Sequence, residues 1–119
     1  MRIIYSEWLD TEIAIFDTVQ SYLDCAEKHG IPPYDMPDGT LAFYQFAKGK
    51  DGKTFFMICF VDGKSSLETV VHETSHLTDC LFEWRGFEAC TETRAYFHAW
   101  LFKEVLKTGT LRGGRLVFR

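Results

Sequence analysis

All three prolines of the chain, Pro32, Pro33 and Pro37, fall within six positions. A proline has no N–H to donate and a fixed φ, so the stretch Ile31–Gly39 can be neither the interior of a helix nor a central strand. The cluster divides the chain into two pieces that must fold around a connector. On its N-terminal side, residues 2–5 suit a short strand. The segment from Asp10 or Thr11 to His29 predicts a helix, because Ile15, Phe16, Val19, Tyr22, Leu23 and Ala26 recur at helical spacing and Gly30 supplies a stop. Asp10 and Glu12 would then sit where the helix dipole favours acids. On the C-terminal side, Leu41–Phe46 and Thr54–Val61 are rich in Phe, Tyr, Ile and Val around a turn-like Ala-Lys-Gly-Lys-Asp-Gly-Lys, which predicts an antiparallel hairpin ending at Asp62-Gly63. A second helix is expected from Ser65 or Ser66 to Glu83, with Ser65 and Glu68 as a capping box and Val70, Thr74, Leu77, Leu81 and Trp84 facing the core. Arg85-Gly86 breaks it. A third helix should occupy Phe87 to Lys107 and stop at Gly109, before a terminal strand. This order predicts an α+β domain, a small antiparallel sheet packed on helices.

A chain of 119 residues has room for one such domain, residues 1–119, and not for two. With 46 % hydrophobic and 16 % aromatic residues it can fill a core. No window has the run of about eighteen apolar residues that spans a bilayer, and the start meets acidic residues too soon for a signal sequence, so no membrane and a cytoplasmic location are expected. Cys25, Cys59, Cys80 and Cys90 contain no Cys-x-x-Cys pair, which fits free thiols in a reducing compartment. The net charge of −4 is uneven: residues 1–102 carry 8 basic and 16 acidic groups, whereas Lys103, Lys107, Arg112, Arg115 and Arg119 face Glu104 alone. The acidic body disfavours a nucleic-acid partner and leaves the basic tail as a local contact.

Chemistry concentrates in His72-Glu73-Thr74-Ser75-His76. Four residues are about one helical turn, so both imidazoles fall on one face, where they can grip a single ion. Zinc takes such a pair and needs at least one further protein ligand, and Glu73 beside it is placed to take a proton from the attacking water. For the third ligand two acids of the next helix compete, Glu88 and Glu92. Ala95 and Ala99, past Glu92, would permit close helix packing and favour Glu92. Glu88 would otherwise orient a histidine, and Asp79, three residues after His76, would either accept a proton from an imidazole or remain solvated. Tyr96, one turn after Glu92, is the candidate donor to the developing oxyanion, with ordinary aromatic packing as its alternative. His98, on another side of that helix, is a lesser candidate for the same donor and otherwise reads as a surface or packed residue, and His29 as a local cap.

The segment Thr-Val-Val-His-Glu-Thr-Ser-His-Leu-Thr-Asp, followed by Gly-Phe-Glu-Ala-Cys-Thr-Glu-Thr-Arg-Ala-Tyr-Phe-His-Ala, resembles the minimal zincin-type metallopeptidases of phages and mobile elements. It is similar also to immunity and stress-response metallopeptidases whose third ligand lies in a Glu-x-x-Ala-x-x-x-Ala helix. The resemblance covers residues 41–106. It implies a zincin-like helical core with a His-Glu-x-x-His helix and a downstream Glu helix, zinc held by His72, His76 and Glu92, and Glu73 as general base. Substrate would lie along an edge strand beside the cleft, in the host-cell cytoplasm if the chain is phage-encoded. No His-x-x-Gly-x-x-His extension follows His76, which disfavours the metzincin arrangement.

The function expected is therefore zinc-dependent hydrolysis of peptide bonds in a peptide or protein substrate, by a metal-activated water. Its rival is a non-catalytic module, stabilised by zinc, that binds a protein partner through the hairpin or the basic tail.

Overall fold

A computed structural model describes residues 1–61, 63–87 and 90–119. Asp62, expected to end a strand, lies outside the described residues. The elements run β1 (Arg2–Ser6), β2 (Thr11–Phe16), α1 (Val19–His29), β3 (Ala42–Lys48), β4 (Thr54–Phe60), β5 (Lys64–Ser66), α2 (Leu67–Arg85), α3 (Thr91–Leu106), β6 (Gly109–Arg112) and β7 (Arg115–Phe118).

The α+β class holds, but the sheet is mixed rather than antiparallel. Its order is β1-β2-β4-β3, with β2 and β4 parallel and the other pairs antiparallel. The difference arises at residues 11–16. The helix expected from Asp10 or Thr11 begins only at Val19, where Thr18 accepts a hydrogen bond from Ser21 N. Thr11–Phe16 is a central strand, and Asp10 (φ 47°) belongs to the turn before it. A central strand covered on both faces reads as an apolar run without alternation, and such a run matches a buried helix as well as a strand. Here Ile13 and Ile15 face α2 and α3 while Ala14 and Phe16 face α1.

The same alternation organises β4. Phe56, Ile58 and Phe60 join Val70, Leu77 and Leu81 of α2 and Leu101 and Val105 of α3 in one core. Met57 and Cys59 join Tyr22 and Ala26 of α1 in a second. The sheet is thus the middle layer, with α1 on one side and α2 and α3 on the other. Burial of the Cys59 thiol pushes its pKa up to about 12, so it behaves as an apolar group. The proline connector is tied down on the α1 side: Tyr22 Oη donates to Gln45 Oε1 (2.6 Å) and accepts from Tyr34 N (2.7 Å), and Gln45 Nε2 donates to Pro32 O (2.8 Å).

Two further readings shift. The cap of α2 is Ser66, whose hydroxyl accepts from Thr69 N, and Ser65 pairs in β5 instead. Trp84, expected in the core, is 41 % exposed. The C-terminal segment is a hairpin, β6 and β7, which with β5 forms a second sheet of order β5-β7-β6. Its start demands glycine by close approach: a Cβ on Gly109 would lie 2.4 Å from the Val117 carbonyl oxygen, which is held in the β6–β7 ladder. Gly109→Ala is expected to cost about 1–3 kcal/mol, measured by denaturant unfolding, and an unchanged midpoint would contradict this strand register.

Candidate functional site

Helix α2 carries the site on the side that faces β3. Val70, Thr74, Leu77 and Leu81 anchor it in the core, so the residues of the intervening turns, His72 and His76, come out on an exposed flank. Their Nε2 atoms are 3.2 Å apart, with the ring planes at 83°. Two nitrogens bound to one tetrahedral zinc at the usual bond length of about 2.0–2.1 Å would be about 3.3 Å apart. The pair therefore already holds the separation of two ligand corners. Without metal the same geometry is one N–H···N hydrogen bond between the rings.

Glu73, between them in sequence, is buried, with 9 % of its surface exposed. Burial raises its pKa, opposed by the neighbouring His72 and His76. It lines a cleft of about 430 Å³ together with Leu41, Ala42, Thr69 and His72. A second, larger groove of about 610 Å³ runs along α2 past Val71, His72, Ser75, His76 and Asp79. His72 lines both. Beside them stands β3, one of the two edge strands of the sheet, whose Tyr44 ring stacks on His76 (centroids 5.5 Å apart, planes at 18°). The sequence offers Tyr44 as one of several aromatics, with Phe43, Phe46, Phe55, Phe56 and Phe60, that line a subsite or are buried by alternation on the hairpin, and the alternation Ala42, Tyr44, Phe46 puts it on the face of β3 toward α2.

Helix α3 does not present the residues expected. It begins at Thr91, capped by the Cys90 thiol, rather than at Phe87. Toward α2 it turns Arg94 and His98. Arg94 donates from Nε to Asp79 (2.6 Å) and from Nη2 to the Ser75 hydroxyl (2.7 Å) and carbonyl (3.2 Å). That contact holds the Asp79 carboxyl below its ordinary range, so Asp79 is neither simply solvated nor bonded to an imidazole. His98 Nε2 lies 2.9 Å from Thr74 Oγ1. The Thr74 hydroxyl already donates to Val70 O (2.7 Å), so His98 is the donor, and its burial lowers its pKa.

Glu92 and Tyr96 are each two residues from Arg94 or His98, about 200° around a helix, and both are exposed, Tyr96 at 73 %. Tyr96 lines a different cleft, against β1. Ala95 and Ala99 are exposed as well, so they do not make the close helix contact. The physical reason is that Phe97, Leu101 and Val105 are the buried residues of α3, and burying that stripe sets the rotation of the helix. Glu88 lies outside the described residues. Among the described residues no group of three His, Cys, Asp or Glu is placed to enclose a metal ion. The donor pair thus fits zinc, and the third donor is not joined to it. His29 packs its ring on Phe55 (4.6 Å) instead of capping with its side chain.

No helix among the described residues is long and apolar enough to cross a membrane. Comparison of the chain with protein-family models, with curated proteins and with solved structures finds no match in any of the three.

Proposed function

We propose that this chain is a minimal zinc metallopeptidase of zincin type, acting on peptide or protein substrates. The observation that carries the reading is the 3.2 Å Nε2 separation of His72 and His76 on one exposed flank of α2, with the buried Glu73 between them in sequence. His72 and His76 would hold the ion, and Glu92 is proposed as third ligand, which requires the first turn of α3 to turn toward the pair when metal binds. Zinc so held supplies a Lewis acid for the scissile carbonyl and a lower pKa for water. Glu73 performs the proton transfers: its carboxylate takes a proton from the attacking water and returns it to the leaving nitrogen. The free edge of β3 supports an extended substrate, since unpaired N–H and C=O groups there can bind a peptide as an added strand. The absence of any disulfide among Cys25, Cys59, Cys80 and Cys90 supports a reducing, cytoplasmic setting.

One zinc per chain is expected, and His72→Ala or His76→Ala should each weaken it by at least tenfold. Glu92→Ala should weaken zinc more than Glu88→Ala does. Competitive titration against a chromophoric chelator reads both, and equal affinity in wild type and the Glu92 variant would remove Glu92 from the site.

The non-catalytic reading is favoured by a different observation: a cleft of about 690 Å³, larger than either groove at the histidines, lies between β1 and α3 and is separate in its lining from them. Zinc would then stabilise the fold, and zinc uptake without cleavage of any peptide in a diverse pool would support it.

A further inference from the structure

The cleft between β1 and α3 is built unlike the groove at the histidines. Its walls present Tyr5 and Trp8 from one side and Tyr96 and Trp100 from the other, together with Glu7 and Glu104, and among the described residues no lysine or arginine lines it. Trp8 is held from behind by Phe82, Phe87 and Phe97, with centroids 5.7, 5.8 and 6.0 Å away, yet remains 55 % exposed. Tyr5 (50 %) and Tyr96 (73 %) are also exposed. Aromatic faces with carboxylates beside them attract cations, because the ring quadrupole and the acid charge act in the same direction. Glu104 shares its charge with Lys107 at 3.1 Å on the exposed helix surface, which leaves Glu7 as the unshared acid of the two among the described ion pairs. The wall is also an edge strand: β1 pairs with β2 alone, so its outer backbone groups are available to a further strand.

We infer that this cleft is a binding site for an extended, basic peptide segment, which adds to the edge of β1 and places a lysine or arginine side chain among Trp8, Tyr96 and Trp100 beside Glu7. Charge complementarity selects the occupant. A neutral apolar segment would gain the ring contacts and forgo the carboxylate, an acidic one would be repelled by it, and a small cation would leave the strand edge unpaired. The inference stands without the metal, since no residue of the cleft belongs to the histidine pair.

The test uses short capped peptides of one Thr, Val and Ser background whose central pair of residues is arginine, norleucine or glutamate. Each is titrated into the isotopically labelled chain while backbone amide signals are followed, with the Glu73→Gln variant as host so that cleavage cannot intervene. The arginine peptide should shift signals of residues 2–8 and 93–104, and the norleucine and glutamate peptides should bind more weakly by at least fivefold. Glu7→Gln and Tyr96→Ala should each weaken the arginine peptide by about two- to fivefold, with unchanged thermal midpoints because both side chains are exposed. His72→Ala should leave this binding intact, which separates it from substrate binding at α2. Equal affinity for the norleucine peptide, shifts confined to α2 and β3, unaltered binding in both cleft variants, or no binding of any peptide would each overturn the inference.

Discussion

Glu73→Gln should retain zinc and lose peptide hydrolysis by about a hundred- to ten-thousandfold, the usual scale for removing a general base. The amide has nearly the same shape as the carboxyl, and the imidazoles of His72 and His76 remain at their spacing, so affinity for the ion is preserved. It cannot accept the water proton, so the chemical step fails. Burial raises the Glu73 pKa, and the variant also removes a carboxyl whose ionised form is disfavoured in the fold, so the protein should not lose stability with the activity. Wild type and variant, matched for zinc by elemental analysis, are incubated with a diverse pool of unstructured peptides and new termini are read by mass spectrometry. Equal cleavage by both would remove Glu73 as the base. Cleavage by neither, with one zinc bound, would turn the reading to a zinc-stabilised binding module.

The second large effect concerns the strand that looks helical. Ile13 has no exposed surface and lies between Ile4 of β1 and Phe56 of β4 in the ladder. Ile13→Ala should cost about 2–5 kcal/mol, and Ile13→Val about 0.5–1.5 kcal/mol, by equilibrium denaturation. A helix over residues 11–29 makes the opposite forecast. Ile13 falls outside its apolar stripe, and alanine is the best helix former, so the substitution would be neutral or slightly stabilising. A neutral Ile13→Ala would therefore dismantle the mixed sheet proposed by the structure.

Local patterns were legible in the sequence where they act within a few residues of chain. The span of α2 and the convergence of His72 and His76 follow from a period of about 3.6 residues, and the β3–β4 hairpin follows from two runs rich in aromatic and β-branched residues around a glycine-containing turn, although β4 is buried on both faces. The proline cluster likewise determines a connector, because the restriction on φ is intrinsic to the residue. Tertiary structure decided what depends on partners far along the chain. Residues 11–16 are a strand because β4, some forty residues later, offers an open edge and α1 covers the remaining face, and no local pattern separates a doubly covered strand from a buried helix. The rotation of α3 was decided in the same way. Burial of Phe97, Leu101 and Val105 outweighs the small-residue spacing of Ala95 and Ala99, and it brings Arg94 and His98 to α2 while carrying Glu92 and Tyr96 toward solvent and the cleft at β1. The two histidines belong to one helix, so a local rule sufficed to bring them together. A third ligand belongs to another, and only the packing between helices can position it.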